Sequence, residues 1–201
     1  MRHEVLAVAA MRRFDHGVVL FHEGEAGRSL HLLMRGRAAV RVTTPDGDTV
    51  TLNVIGPGTA FGELALLDPA EMRTATVEAI GAVETLVIQR AAFERLRRSY
   101  PSVDRMLVAY LAAQVRRLSE RLTEALCIEA RTRVLRRILD LHDVFDSGPV
   151  PVTQEEISTM AGTTRPTVNR IMHDLAEAGI VELRRGRFIV VDPAALARAA
   201  R

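Results

Sequence analysis

Residues 153–175, TQEEISTMAGTTRPTVNRIMHDL, hold two helix starts separated by one sharp turn. Thr153 with Glu156 three residues on is a capping box, in which hydroxyl and carboxylate each satisfy a backbone N–H that a first helical turn leaves without a partner. Ile157 and Met160 supply the buried face of that short helix. Ala161-Gly162-Thr163 breaks it, with Gly162 suited to the left-handed backbone of a tight turn. Thr163 or Thr164 caps the next helix, Pro166 fits its first turn, and Val168, Ile171, Met172 and Leu175 recur at helical spacing until Gly179. Leu183 to Val190, LRRGRFIV, reads as a basic hairpin with Gly186 at its tip. Helix, turn, helix and basic wing predict a winged helix-turn-helix.

Arg165, Thr167, Asn169 and Arg170 alternate with the apolar set and therefore lie on the outer side of the second helix. They cluster toward its N-terminal end, where a recognition helix meets base edges. An arginine fork can pair with guanine, and threonine with a helix N-terminus suits phosphate. Thr153 and Gln154 at the first helix start, and Thr164 at the second, are placed for contacts to the DNA backbone. A solvated polar face on a small helical domain is the competing reading; turn, wing and arginine placement together favour DNA.

Upstream of this unit, Asp146-Ser147-Gly148-Pro149 reads as a linker, and no Gly or Pro occurs from Ser102 to Ser147. Val134, Leu135, Ile138, Leu139 and Leu141 mark one helix. Leu107, Leu111, Gln114 or Val115, Leu118, Leu122 and Ala125 or Leu126 mark a longer one from Pro101 to about Leu126, ~39 Å at 1.5 Å per residue. A small domain cannot cover such a helix along its whole length. Its apolar seam is expected to pack against a copy of itself in a parallel, coiled-coil-like homodimer, rather than across its own barrel.

Residues 17 to 90 have a different rhythm. Val18 to Phe21, Leu30 to Met34, Ala38 to Thr44, Val50 to Ile55, Ala75 to Ile80 and Glu84 to Gln89 read as short strands, with Pro45-Asp46-Gly47-Asp48 as a hairpin turn. Strands at this spacing predict a compact β-barrel or sandwich. The whole reads as an α+β chain: 1–99 mostly β, 100–126 a long helix expected to dimerise, and 127–201 the winged helix-turn-helix domain.

One further segment carries chemistry: residues 61–77, FGELALLDPAEMRTATV. Gly62 opens a short apolar helix and lets an anion approach backbone N–H groups, with Leu64 following. Glu63 can accept from a ribose hydroxyl; Arg73 can bring a guanidinium to a phosphate, with the Thr74 hydroxyl beside it. On general physics alone, a loop closed by an ordinary Glu63–Arg73 salt bridge is an equal reading.

The segment resembles the phosphate-binding cassette of cyclic-nucleotide-binding domains, in the pattern F-G-E-L-A-L-L, spacer, R-T-A-T-V. With Thr153 to Leu175 it makes nearly the whole chain, from about Phe14 to Val191, similar to the Crp/Fnr family of bacterial transcription regulators. The resemblance implies a β-roll sensor, a long dimerisation helix and a winged helix-turn-helix, in that order. It implies that Gly62 and Glu63 contact the ribose, that Arg73 and Thr74 hold the cyclic phosphate, and that Arg165 and Arg170 read bases of a pseudo-palindromic double-stranded operator. The effector implied is cyclic AMP, with cyclic GMP as the alternative, and RNA polymerase is a further partner without an assigned surface. No cofactor or metal is implied.

Two departures from the family pattern matter, one in base recognition and one in the recognition helix. Where cyclic-AMP-responsive members present two polar residues to the adenine, this chain has Leu118 and Ser119, so only Ser119 can hydrogen-bond the base. Thr74 after the cassette arginine also resembles cyclic-GMP sites. Pro166 stands where members reading the best-known half-site carry glutamate, and proline offers no acceptor to a cytosine amino group.

Composition excludes several other classes. The 201 residues include 27 basic side chains, all arginine, against 25 acidic ones, so bulk charge does not itself argue for nucleic acid. No stretch approaches the ~20 apolar residues of a membrane helix, and the first ten residues lack the organisation of a signal peptide, which predicts a cytoplasmic protein. A single cysteine excludes a cysteine-ligated iron–sulfur cluster; Cys127 is expected to be a small buried residue near the hinge. Haem-binding members of the family it resembles need axial ligands in the β-roll; His22 and His31 are the candidates, and strand or turn packing explains them more simply. Neither a Gly-x-Ser-x-Gly elbow, a Walker loop nor an H-x-H pair is present, which argues against an enzyme.

Overall fold

The computed structural model describes residues 8–67 and 72–201. The cassette spacer, 68–71, and residues 1–7 lie outside the described residues. The chain forms two compact units: the first runs through Val42 and resumes at Ile55–Glu120; the second joins Thr43–Val54 to Arg121–Arg201.

In the first unit, strand β6 (Thr76–Gln89) is the spine. Along one edge it pairs antiparallel with β1 (Ala9–Phe14) and β2 (Val19–Phe21), and along the other with β3 (Ser29–Thr43), which also takes β5 (Ala60–Phe61). The sequence pattern predicts separate strands before and after Gly36, and again before and after Gly81; each pair is instead one long strand. Ladder register shifts between Leu33, Arg35 and Arg37 while the pairing continues, so Gly36 marks an irregularity in the strand and does not end it. At φ +81°, a Cβ on Gly36 would stand 2.1 Å from the Ala82 carbonyl oxygen, so only glycine permits this approach. β1 has no counterpart in the sequence pattern, because AAMRRF is mostly exposed and carries no alternation.

Phe21, Leu33, Ala38, Ile55, Phe61, Val77, Ala79 and Val83 form one core cluster. A second joins Leu66 of α1 (Leu64–Leu67) to Ile88, to Ala92, Phe93 and Leu96 of α2 (Arg90–Ser99), and to Val103 of α3 (Pro101–Cys127). Leu107 also packs there. Further along α3, Val108, Val115, Leu118, Leu122 and Leu126 are exposed. Cys127 is exposed too, which corrects the expectation of burial: it closes the last turn of α3 beside bare Leu126, and a thiol's preference for the interior counts for nothing where no other part of the described chain covers it.

In the second unit, β4 (Thr49–Ile55, with its last residue in the first unit) follows a tight turn in which Thr44 N–H donates to Asp48 O at 2.8 Å and Gly47 N–H to Thr44 O at 2.9 Å. Its Thr51 carbonyl accepts from Thr159 Oγ1 at 3.1 Å, on α5 (Gln154–Ala161), and Asn53 Oδ1 accepts from Arg121 at 3.1 Å. α4 (Ala130–Val144) buries Val134, Leu135, Ile138 and Leu141, as its spacing predicts. Glu124 accepts from Arg136 at 2.7 Å and Arg137 at 2.6 Å, so two arginines of α4 clamp the end of α3. α6 (Arg165–Glu177), the wing strands β7 (Val181–Arg184) and β8 (Arg187–Val190), and α7 (Pro193–Ala199) complete the unit. The result is the α+β architecture of β-rich sensor, long helix and helix-turn-helix. No helix among the described residues is long and apolar enough to cross a membrane.

Candidate functional site

Arg73 is the centre of the first site. Its backbone is gripped by the turn at Gly24 and Glu25: Arg73 N–H donates to Glu25 O at 2.8 Å, and its carbonyl accepts from Gly24 N–H at 2.9 Å. The side chain runs inward and is only 5% exposed. Nη1 donates to Gly62 O at 2.8 Å, Nη2 to Ser29 Oγ at 3.0 Å, and the guanidinium carbon lies 4.0 Å over the Phe21 ring. Gly62, at φ +80°, is where the cradle needs a missing side chain, because a Cβ there would meet Nη1 at 2.3 Å.

Among the described residues, no carboxylate closes on this guanidinium. The Glu63–Arg73 salt bridge that the sequence pattern leaves open does not form; Glu63 is buried beside it instead. Burial pushes the Glu63 carboxyl above its ordinary value, opposed by a backbone hydrogen bond and by the Arg73 charge. Burial likewise pulls the Arg73 guanidinium down, opposed by the charges of Glu25 and Glu63. The Arg73 Nε is buried with no acceptor among the described residues. A buried cation bonded to neutral acceptors is an unfavourable arrangement that an incoming anion would relieve.

Thr74 and Leu64 are exposed next to this cradle in sequence, and the Glu23 N–H donates to Thr76 Oγ1 at 2.9 Å. Arg90, from the start of α2, donates to Ala65 O at 2.5 Å and to Gly27 O at 3.4 Å, fastening the cassette helix to the sheet. Ser119 is exposed on α3, with its hydroxyl donating to Val115 O at 3.0 Å. The long-helix residue that reaches the cassette strand, Tyr110, is one the sequence pattern does not single out: its Oη donates to Ala60 O at 2.5 Å and accepts from Nε2 of Gln114, which that pattern offers only as a seam position, at 2.6 Å. Burial and the nearby Glu63 charge both push the Tyr110 phenol up.

The second site is built by local rules. Thr153 caps α5 with both halves of the capping box in place, the Thr153 N–H donating to Glu156 Oε2 at 2.8 Å. Gly162 ends that helix in the left-handed conformation. Of the two threonines that could cap α6, it is Thr164, which accepts from Thr167 N–H at 3.4 Å. Arg133 of α4 fixes the turn from beneath, donating to Ala161 O and Gly162 O, both at 2.8 Å. Val168, Ile171, Met172 and Leu175 are buried, leaving Arg165, Asn169 and Arg170 exposed and Thr167 half-buried. Asn169 Nδ2 donates to Gln154 Oε1 at 3.0 Å, so residues from both helices share one polar surface. A cleft of about 400 Å³ separates Gln154 and Arg165 from the wing residues Arg184 and Arg187. Arg184 is tied to Glu182 at 2.8 Å, which holds that carboxyl down and leaves Arg185 and Arg187 as the wing's other exposed cations.

His31 is buried, as strand packing predicts, and among the described residues no group of three or more His, Cys, Asp or Glu side chains gathers to hold a metal ion.

A β-rich domain with a buried arginine cradle, followed by a winged helix-turn-helix, is the architecture of a DNA-binding regulator that also carries a candidate anion site. Residues 11–100 match the cyclic nucleotide-binding domain family, and residues 132–199 the Crp-like helix-turn-helix domain family. The chain is 31% identical over 211 residues to the CRP-like cAMP-activated global transcriptional regulator of Mycobacterium tuberculosis, covering 98% of this chain and 94% of that protein. It is 36% identical over 188 residues to the cyclic AMP receptor protein of Thermus thermophilus, covering 92% of this chain and 85% of the other. A solved CRP-family transcriptional regulator, also from Thermus thermophilus, superposes with a TM-score of 0.78 at 28% identity, covering 94% of this chain and 96% of its own. The chain belongs to the Crp/Fnr family: it is a cyclic-nucleotide-binding, DNA-binding transcription regulator and not an enzyme.

Proposed function

We propose that the protein is a cytoplasmic homodimer whose operator binding is controlled allosterically by cyclic AMP. The observation that carries this reading is the buried Arg73 guanidinium, bonded among the described residues to the neutral Gly62 carbonyl and Ser29 hydroxyl. In this reading Arg73 and Thr74 hold the cyclic phosphate, Gly62, Glu63 and Leu64 line the ribose, and Ser119 meets the base. The names of the relatives in Mycobacterium and Thermus favour cyclic AMP over cyclic GMP. The division of labour follows the sequence: 1–99 senses, 100–126 dimerises, 127–201 reads DNA, and RNA polymerase is the further partner.

Allostery requires the ligand to favour one arrangement over another. The switching element in this proposal is the α3 pair with its junction at residues 127–131, which sets the two recognition helices about 34 Å apart on a pseudo-palindromic site. Thr153, Gln154 and Thr164 would contact the DNA backbone, while Arg165, Thr167, Asn169 and Arg170 face the major groove. Substituting Arg170→Ala is expected to weaken operator binding by about 1–3 kcal/mol and to relax selection at one base pair. Fluorescence anisotropy on a set of single-base operator variants reads this out, and an equal loss on every sequence would make Arg170 a phosphate contact instead.

Calorimetric titration of the purified protein with cyclic AMP, and in parallel cyclic GMP, tests the sensor. One nucleotide per chain at micromolar affinity or tighter, with cyclic AMP preferred, is the expected result. A preference for cyclic GMP would reassign the effector. Binding of neither, with operator binding intact, would make the protein a ligand-independent regulator that keeps the cassette as scaffold.

A further inference from the structure

Behind the cassette arginine stands a buried polar chain. Arg73 Nη2 donates to Ser29 Oγ at 3.0 Å, Ser29 Oγ lies 3.1 Å from His31 Nε2, and His31 Nδ1 lies 3.4 Å from Thr85 Oγ1. His31 and Thr85 are 4% and 0% exposed, so their polar atoms must find partners inside the protein. The imidazole is also fixed in orientation, with its centroid 5.2 Å from that of Phe61 in a stack and 5.6 Å from that of Phe21 edge-on. Phe21 is the same ring that lies under the Arg73 guanidinium.

One set of proton positions satisfies every member. In it the Ser29 oxygen accepts from Arg73 and gives its own proton to His31 Nε2, while the other ring nitrogen keeps a hydrogen for Thr85. That arrangement needs a neutral imidazole, and burial together with the charges of Arg73 and Arg12 pulls His31 down to about 4. Donation of the serine proton into the ring leaves more electron density on Oγ toward Arg73, since hydrogen bonds in a chain polarise one another. The arginine side chain is long and rotatable; without Oγ, the end of its fork that points to Ser29 has no fixed position.

We propose that the Ser29 hydroxyl, backed by His31, is a positioning residue that aims Arg73 at the phosphate of the bound nucleotide. The inference rests on the nucleotide reading of the cassette, and adds to it a specific support outside the cassette motif. It also gives an account of His31, a polar residue at a core position of β3: its nitrogens serve the arginine while its ring fills the core.

The test is calorimetric titration of the full chain with cyclic AMP across a set of variants. Ser29→Ala is expected to weaken binding about tenfold, the scale of one hydrogen bond to a charged group, with the unfolding temperature little changed. Ser29→Thr, which keeps the hydroxyl, should restore the affinity. His31→Phe, which keeps an aromatic ring but no nitrogen, should weaken binding severalfold and serves as the second probe if Ser29→Ala does not fold. The deciding measurement is the double variant: with Arg73→Ala already present, Ser29→Ala should have no further effect. An equal loss with and without Arg73 would overturn the positioning role, because Ser29 would then act without the arginine. So would wild-type binding that Ser29→Ala leaves unchanged. A wild-type chain that binds no cyclic nucleotide would overturn the sensor reading itself, and this inference with it.

Discussion

Arg73→Ala is expected to lower cyclic-nucleotide affinity by about 10²–10⁴-fold. Two charge-assisted hydrogen bonds from a guanidinium to a phosphate, at about 1.5–3 kcal/mol each, give that range. The substitution should leave the fold standing, for a reason specific to this site. Arg73 makes no hydrogen-bonded ion pair with a protein carboxylate among the described residues, and the buried Glu63 beside it, already pushed up by burial, can answer the loss of the neighbouring positive charge by taking up a proton. What it does leave is a Gly62 carbonyl and a Ser29 hydroxyl without their donor, and a space beside Phe21 that water can enter. Arg73→Lys should recover only part of the affinity, because an ammonium keeps the charge and loses the planar fork. Calorimetry and thermal melting on the same samples separate the two effects. Unchanged affinity in Arg73→Ala would remove Arg73 from the phosphate site, however well the rest of the cassette matched its family.

How far such sites can be read in advance depends on how local their rules are. The helix-turn-helix is legible almost residue by residue: the capping box at Thr153 and Glu156, the left-handed Gly162, the early Pro166 and the four buried positions of α6 each depend on neighbours within one or two turns. The supports of the Arg73 cradle are not. Arg73 meets Ser29 across 44 residues of sequence, and His31 meets Thr85 across 54, so nothing near Ser29 signals a role. A tyrosine on an amphipathic helix, such as Tyr110, carries no mark of the carbonyl it will reach. The turn at residues 44–48 is written in its own four or five residues, but the packing of the following strand on α5 through Thr159 spans 108 residues and leaves no local trace. Gly36 and Gly81 look like strand ends because glycine usually punctuates; here the ladders run past both, and at Gly36 the reason is a close backbone approach that only the folded sheet reveals. Cys127 defies its composition-based expectation because burial depends on what covers a residue as much as on the residue.

The bare face of α3 leads to the second large effect. In the proposed homodimer, Val115→Glu combined with Leu122→Glu is expected to leave a monomer and to lower operator affinity by about 10²–10⁴-fold, the factor by which two linked contacts exceed one. Val108, Val115, Leu118, Leu122 and Leu126 are all exposed, from 61% to 76%, at spacings of seven, three, four and four. That spacing is the one a coiled-coil seam would use in the proposed homodimer. A leucine fully buried in such a seam contributes about 1.5–3 kcal/mol, and a glutamate in its place would be desolvated opposite its own copy. Neither position lies in the cassette, and the Val115 carbonyl that accepts from Ser119 is backbone and stays in the variant, so nucleotide binding by the separated chains should survive in part while cooperative binding to the proposed two-fold operator does not. Sedimentation velocity gives the oligomeric state, and anisotropy with full and half operators gives the DNA affinity. A double variant that stays dimeric would place the contact between copies elsewhere. A monomer that still binds the full operator at wild-type strength would mean that a single winged helix-turn-helix carries the recognition, and that the spacing of two recognition helices is not what the nucleotide controls.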